Sequence, residues 1–319
     1  MLIDILLLAV GLIILILGAN WMVDGASSIA SRLGISAFII GLTVVAFGTS
    51  LPELVVNIIA SAKGSSGLAI GNVVGSNTIN IMLVVGLAAI VKPVKVQSIT
   101  IRVEIPFSLL AAIILLIIAN DRILDNASSS VLSRADGLIL ITLLGVFLYY
   151  TFMASRSDMY AQVSNIKPRK GYLVALMIAG GIAGLYFGAK LIVDSSISIA
   201  SALGVSDSLI GLTVVAIGTS LPELATSVVA AFKGESDIAI GNVLGSNIFN
   251  IFMVLGVSSI IMPLPLYPSA NIDIIVSGIA IVMLFAFVAF GKGKSVTRTH
   301  GWIFVLSYLA YIIFLIKSV

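Results

Sequence analysis

The sequence predicts an all-α membrane protein: ten transmembrane helices in two inverted five-helix repeats, with broken helices near the bilayer midplane. Three observations carry that prediction. Sixty per cent of the 319 residues are apolar and only 10% are charged, with a mean hydropathy of +1.22; soluble domains carry about 45–50% and about 25%. Apolar runs long enough to cross a bilayer fill the chain. The second half of the chain repeats the first at a fixed offset.

A spanning helix needs about 20 mainly apolar residues. Residues 5–23 form the first run, and 33–52 the second, which continues past Glu53 to 62. The third covers 64–91, the fourth 105–120 and the fifth 137–155. The same order returns in 171–189, in 208–232 broken only by Glu223, and in 238–272, 274–291 and 301–316. Pro263, Pro265 and Pro268 mark a loop after the eighth run. The first run lacks the Lys/Arg start of a leader peptide, and it leads into a segment repeated later, so it is expected to be a span.

Basic residues orient these spans. With the N-terminus outside, Arg32, Lys92, Lys95, Arg102, Arg156, Lys167, Arg169, Lys170, Lys233, Lys292, Lys294 and Arg298 fall on the cytoplasmic side, which is 12 of 17. Lys63, Arg122, Arg134, Lys190 and Lys317 fall outside. The positive-inside rule therefore places the 154–170 loop in the cytoplasm of a multi-pass plasma-membrane protein. This bias explains the net charge of +3, so no nucleic-acid partner is implied. Absent cysteines and a single histidine, His300, exclude thiolate and histidine metal sites.

Shifted by 170 residues, the chain overlays itself without a gap. GLTVVAFGTSLPEL at 41–54 matches GLTVVAIGTSLPEL at 211–224 in 13 of 14 positions, and GNVVGSNTINI at 71–81 matches GNVLGSNIFNI at 241–251 in 8 of 11. Five spans per copy is an odd number, so the second copy must enter the membrane upside down. The expected organisation is a first half 1–153, a cytoplasmic linker 154–170 and a second, inverted half 171–319. Inverted repeats of this kind bind their cargo near the midplane, where the copies meet.

Both motifs carry chemistry. Pro52 lacks an N–H and its ring clashes with the carbonyl of Gly48, so the helix should break there. Freed carbonyls survive in hydrocarbon only inside protein or beside a polar cavity. Those carbonyls and the hydroxyls of Thr49 and Ser50 are hard oxygen donors. One residue on stands Glu53, the only charge between Arg32 and Lys63. An acid at mid-membrane costs about 2.5–3.5 kcal/mol on insertion scales. Gly218 to Glu223 repeats the arrangement, and two-fold symmetry would bring Glu53 and Glu223 face to face. Two bare carboxylates repel, so one takes a proton unless a cation lies between them. The second motif adds Ser76, Asn77 and Asn80, with Ser246, Asn247 and Asn250 opposite; Ser76 and Asn80 are four apart and share a helix face. Such an all-oxygen set suits Ca²⁺ or Na⁺. Gly71 and Gly75, like Gly241 and Gly245, offer a small-residue face for close packing.

Each feature alone has a bland reading. Small-residue spacing is commonly packing, membrane Ser and Thr often bond back to their own helix, and a lone Glu can be a structural bond. Doubling of both motifs in register, each acid beside a helix-breaking proline, favours function. Asp24 and Asp194, near span ends, are read as caps or interface residues. His300 receives no role, and Trp21, Trp302 and Tyr172 are expected interfacial anchors.

At these motifs the sequence resembles the sodium/calcium exchanger family, and most of all its compact prokaryotic members. The likeness spans the whole ten-helix plan. It implies that Glu53 and Glu223 ligate Ca²⁺ and Na⁺ in alternation. It also implies ligand roles for Thr49, Ser50, Ser76, Asn80 and the Ala46 carbonyl, and for Thr219, Ser220, Ser246, Asn250 and the Ala216 carbonyl. The implied activity is alternating-access antiport, near three Na⁺ per Ca²⁺, electrogenic and independent of K⁺, because relatives with an acid in place of Asn250 differ here. Nothing resembles the large regulatory domains of animal members, since the 154–170 loop is short. The proton/calcium branch carries Glu shortly after a Gly-Asn pair, whereas Val73, Val74 and Gly75 follow Gly71-Asn72 here.

Rival readings are a proton-coupled Ca²⁺ or other cation antiporter, a cation channel with an acidic ring, and an intramembrane protease. The protease would need a Ser–His pair or two catalytic aspartates within the membrane, so the chain is not expected to be an enzyme. No prosthetic group is expected; Ca²⁺ and Na⁺ are cargo, the bilayer is the remaining partner, and the chain is read as a monomer.

Overall fold

The computed structural model describes residues 2–124, 126–155, 169–203, 216–267, 269–291 and 293–318. In lipid an apolar segment satisfies its backbone polar groups by forming a helix, and helices make up almost all of the described chain. In order they are α1 (Leu2–Leu33), α2 (Ala37–Thr49), α3 (Leu51–Ala62), α4 (Ser66–Val91), α5 (Ser98–Ile118), the single turn α6 (Asp121–Leu124) and α7 (Arg134–Ser155). There follow α8 (Gly171–Ala202), the short α9 (Ala216–Thr219), α10 (Leu221–Lys233), α11 (Ser236–Ile261), α12 (Ala270–Ala289) and α13 (Arg298–Ser318).

Among the described residues eight of these helices are long and apolar enough to cross a bilayer, and α2 with α3, bent by 43° at their break, passes the same test as a pair. The run expected over 208–232 is described only from 216 onward, and 156–168 of the expected linker also lie outside the described residues. Three boundaries depart furthest from expectation. The run 238–272 stops at Ile261, because Pro263 and Pro265 cannot continue a helix. The runs 5–23 and 171–189 extend to Leu33 and Ala202, through Asp24 and Asp194. Each of these helices has 32 residues, roughly 48 Å at 1.5 Å per residue. That exceeds the ~30 Å hydrocarbon core, so their polar ends reach water without a break.

Helices α1 and α8 pack together through glycine. A Cβ at Gly18 would fall 2.7 Å from Leu185 N, and one at Gly188 would fall 2.6 Å from Leu15 N. Gly11 meets the Gly188 carbonyl and Gly18 meets that of Gly181, so the two contacts exchange partners at the 170-residue offset. Helices α4 and α11 lie at the centre, with 78% and 83% of their apolar stretches buried. They are buried on nearly all sides, with Val73, Ile81, Val243 and Phe252 in the apolar core and Asn72, Ser76, Asn80, Asn242, Ser246 and Asn250 forming a buried polar face.

Two short antiparallel ribbons tie one half to the other. β1 (Val94–Lys95) pairs with β4 (Ser295–Val296), and β2 (Val131–Leu132) with β3 (Leu264–Pro265). Basic residues gather in the same way. Lys233 Nζ meets Asp24 Oδ1 at 2.5 Å, and Arg169 Nη2 reaches Asp24 Oδ2 at 3.5 Å. Arg32 donates to the Arg169 carbonyl, and the Arg169 N–H to Ser28 Oγ. Asp24 is thus an interface residue rather than a cap.

Candidate cation site

Proline sets the local geometry. Helix α2 contains a π segment at Gly41–Val45 and ends at Thr49. Ser50 takes φ −81° and ψ 3°, a bridge conformation, and α3 restarts at Leu51 with Pro52 in its first turn. There the missing N–H is no loss, because first-turn donors have no partner within the helix. Glu53 follows in the same turn, where the positive end of the helix dipole favours a carboxylate. The second copy is built alike: α9 ends at Thr219, Ser220 has φ −87° and ψ 3°, and Pro222 and Glu223 open α10. The break expected from Pro52 is therefore present, displaced two residues toward the N-terminus.

Both acids are fully buried, with 0% exposure for Glu53 and for Glu223. Ser76 Oγ donates to Glu53 Oε1 at 3.4 Å, and Ser246 Oγ to Glu223 Oε1 at 3.3 Å. Ser50 Oγ also donates to Glu223 Oε1, at 3.2 Å. The halves thus interlock, since a hydroxyl of the first break holds the acid of the second. The threonines cross in the same sense. Thr49 Oγ1 donates to Asn242 Oδ1 at 3.0 Å and lies 3.2 Å from the Ala46 carbonyl, and Thr219 Oγ1 donates to Asn72 Oδ1 at 3.1 Å.

Behind these contacts stands a polar layer that the motif reading passed over. Asn72 Nδ2 donates to Asn57 Oδ1 at 2.8 Å, and Asn242 Nδ2 to Ser227 Oγ at 3.0 Å. Asn57 Nδ2 donates onward to the Ala69 carbonyl and Ser227 Oγ to that of Ala239. Spacing carried a signal for all of them. Asn57 is four residues after Glu53 and Ser227 four after Glu223, while Asn72, Ser76 and Asn80 recur every fourth residue, as do Asn242, Ser246 and Asn250. Side chains four apart share a helix face.

Asparagine amides complete the site. Asn80 Nδ2 donates to Asn247 Oδ1 at 3.1 Å, and Asn250 Nδ2 to Asn77 Oδ1 at 3.0 Å. Asn80 and Asn250 each open a π segment, Asn80–Val85 and Asn250–Leu255, a distortion frequent at functional sites. Among the described residues five buried oxygens have no hydrogen-bond partner here: Oε2 of Glu53 and of Glu223, Oδ1 of Asn80 and of Asn250, and Ser220 Oγ. Leaving a buried acceptor unmet costs about 1–3 kcal/mol, and more when it is charged. A hard cation answers such a set; an apolar ligand does not.

Of the residues singled out by sequence, hydrogen bonds join Ala46, Thr49, Ser50, Glu223 and Ser246 into one cluster, and Glu53 to Ser76. The Ala46 carbonyl also accepts from the Ser50 N–H at 3.0 Å. Ala216 opens α9, and its side chain lies outside the described set. The close packing expected of Gly241 and Gly245 is present: Cβ atoms there would fall 2.6 Å from the Phe38 carbonyl and 2.4 Å from that of Leu42. The equivalent partners of Gly71 and Gly75, residues 208 and 212, lie outside the described residues.

Comparison with known proteins gives a consistent picture. A family model described as sodium/calcium exchanger protein matches residues 3–153 and 173–317. The chain is 33% identical to the sodium/calcium exchanger MaX1 of Methanosarcina acetivorans, over 98% of each chain. It is 36% identical to the inner membrane protein YrbG of Escherichia coli, over 96% of each. A structure of the sodium-calcium exchanger NCX_Mj soaked with Na⁺ and Ca²⁺ superposes with a TM-score of 0.83 at 35% identity, covering 99% of this chain and 98% of the other.

Proposed function

The chain belongs to the sodium/calcium exchanger family, and from that premise we propose that it is a secondary antiporter exchanging Na⁺ for Ca²⁺ by alternating access. The observation that carries this reading is the group of buried oxygens without donors: two carboxylate, two amide and one hydroxyl oxygen. Glu53 and Glu223 hold whichever load is present. Ser76, Asn80, Ser246 and Asn250 complete the shell from the central helices, and Thr49, Ser50, Thr219, Ser220 and the carbonyls of Ala46 and Ala216 complete it from the two breaks. The names of MaX1 and NCX_Mj support the choice of ions.

One set of carboxylates serves both cargoes, so they compete for it. Two carboxylates carry −2. Ca²⁺ brings the site to neutral and three Na⁺ bring it to +1, so exchange at that ratio is electrogenic. Neither load needs K⁺.

Ten spans in two inverted halves, 1–153 and 171–319, joined by 154–170, are part of the same proposal. Its support is the reciprocity of contacts 170 residues apart, from the glycines of α1 and α8 to the crossed threonines. The N-terminus lies outside the plasma membrane and the linker inside, and a single chain forms the whole site.

The test is Ca²⁺ uptake into proteoliposomes with Na⁺, K⁺ and H⁺ gradients varied separately. An outward Na⁺ gradient should drive uptake. Uptake driven by a pH gradient and indifferent to Na⁺ would replace this reading with proton coupling.

A further inference from the structure

Asn77 and Asn247 sit between the central helices, and their amides are locked by groups that can bond in only one sense. Asn77 Nδ2 lies 3.2 Å from the Asn247 carbonyl, and Asn247 Nδ2 lies 3.3 Å from the Asn77 carbonyl. A backbone carbonyl only accepts. Each of these side chains must therefore turn its NH₂ toward the partner's backbone, which leaves its own Oδ1 on the other side. That Oδ1 demands a donor. Asn77 Oδ1 receives it from Asn250 Nδ2 and Asn247 Oδ1 from Asn80 Nδ2. The NH₂ groups of Asn80 and Asn250 are thereby engaged, and their Oδ1 atoms are the buried oxygens that accept nothing among the described residues.

We infer that Asn77 and Asn247 are positioning residues: they touch no cargo, and each fixes the amide of the asparagine on the opposite half so that its oxygen faces the cation. This rests on the proposed ligand roles of Asn80 and Asn250. An amide, unlike a carboxylate, has a wrong face: turned over, it would present NH₂ to a cation. Outer-shell partners of this sort commonly change metal affinity about 10–100-fold. The pairing is crosswise. Asn77 governs Asn250, 173 residues away, and not Asn80, three residues away.

That crossing gives the experiment its control. Ca²⁺ flux by the full chain in proteoliposomes is measured for Asn77→Ala in the wild-type, Asn250→Asp and Asn80→Asp backgrounds. A carboxylate at 250 has no NH₂ to misdirect. In wild type, Asn77→Ala should raise KM for Ca²⁺ about tenfold or more. In Asn250→Asp the increment should vanish, and in Asn80→Asp it should persist. Equal increments in all three backgrounds would mark Asn77 as merely structural and overturn the inference. Asn250→Ala with unchanged KM would instead sink the ligand reading beneath it. Asn247→Ala is the mirror test, with Asn80→Asp as the absorbing background. A further measurement needs neither alanine variant to fold. With ¹³C-labelled asparagine, Ca²⁺ should shift the side-chain carbonyl infrared bands that disappear in Asn80→Asp and Asn250→Asp. No Ca²⁺-sensitive band should remain for Asn77 or Asn247 as a direct ligand; if one does, the positioning role is wrong.

Discussion

Ser50 Oγ donates to Glu223 Oε1 across 3.2 Å, joining residues 173 apart in the chain. Ser50 is the hinge residue of the first broken helix, and Glu223 is the acid of the second. Any movement that opens the first break therefore disturbs the acid of the second. Its counterpart does not form here: Ser220 Oγ bonds to nothing among the described residues. Ser76 and Ser246 serve the two acids alike, but the contact from the serine at the break is one-sided. In the alternating-access cycle proposed above, each half would take each arrangement in turn.

Ser50→Ala tests that contact. A hydrogen bond to a charged group contributes about 1.5–3 kcal/mol, so the variant should raise KM for Ca²⁺ roughly tenfold to a hundredfold while its detergent-solubilised form stays monodisperse. Unchanged Ca²⁺ kinetics in proteoliposomes would show that the bond does not support the loaded site.

Replacing either acid should be far more severe. Glu53→Ala or Glu223→Ala leaves one carboxylate for a divalent ion, and losing one partner of a buried charge pairing costs about 3–5 kcal/mol. Ca²⁺ affinity should fall by roughly a hundredfold or more, and flux should nearly vanish. Insertion, read by size-exclusion of the solubilised protein, should be normal. Near wild-type exchange in either variant would end the shared-site reading.

Close packing gives a prediction on stability. A Cβ at Gly245 would fall 2.4 Å from the Leu42 carbonyl and 2.6 Å from Ala46 Cβ. Overpacking a tight interface costs about 1–3 kcal/mol, so Gly245→Ala should lower the melting temperature by several degrees. Gly145, on α7, has no neighbour within 4 Å of its built Cβ. Gly145→Ala should melt with the wild type, and equal losses in the two variants would refute the packing argument.

Much of this was legible in the sequence because hydropathy and repetition are both local signals. The apolar runs located the spans, and the doubled Pro52 and Pro222 located the breaks. Helix ends were less legible. Asp24 and Arg32 lie inside one long helix, since a helix longer than the bilayer is thick carries charge at its end without penalty. The polar layer of Asn57, Asn72, Ser227 and Asn242 was missed because none of it is charged and each residue bonds across helices. The crossed amides needed the fold. The doubled Ser-Asn motif marked Asn250, but only packing of the two halves identifies Asn77 as the acceptor for its NH₂.

Charge movement follows from the site's composition. With −2 from two carboxylates, exchange of three Na⁺ for one Ca²⁺ transfers one net charge per cycle, worth about 2.3 kcal/mol per 100 mV. Na⁺-driven Ca²⁺ uptake should therefore accelerate or slow with the sign of a valinomycin-imposed potential. A rate indifferent to voltage would exclude that ratio.

Potassium should be irrelevant, and the reason is again charge. Among the described residues no group of three or more acidic or histidine side chains that could hold a metal gathers in one place, and the buried formal charges described at this site are Glu53 and Glu223. Asn80 and Asn250, at equivalent positions, offer oxygen without charge. A K⁺ ion beside Ca²⁺ would take the site from neutral to +1 in a buried, low-dielectric setting, where uncompensated charge is expensive. The amide at 250 is also committed, since its NH₂ is held by Asn77 Oδ1 at 3.0 Å, and turning it to suit another ion would break that bond. Ca²⁺ flux at fixed Na⁺ gradient and fixed membrane potential should thus be unchanged when choline replaces K⁺ on both faces. Loss of most of the flux would refute the charge count. Asn250→Asp is the companion variant: a third carboxylate should tighten cation or proton binding, slow turnover, and supply the charge that a K⁺ companion needs.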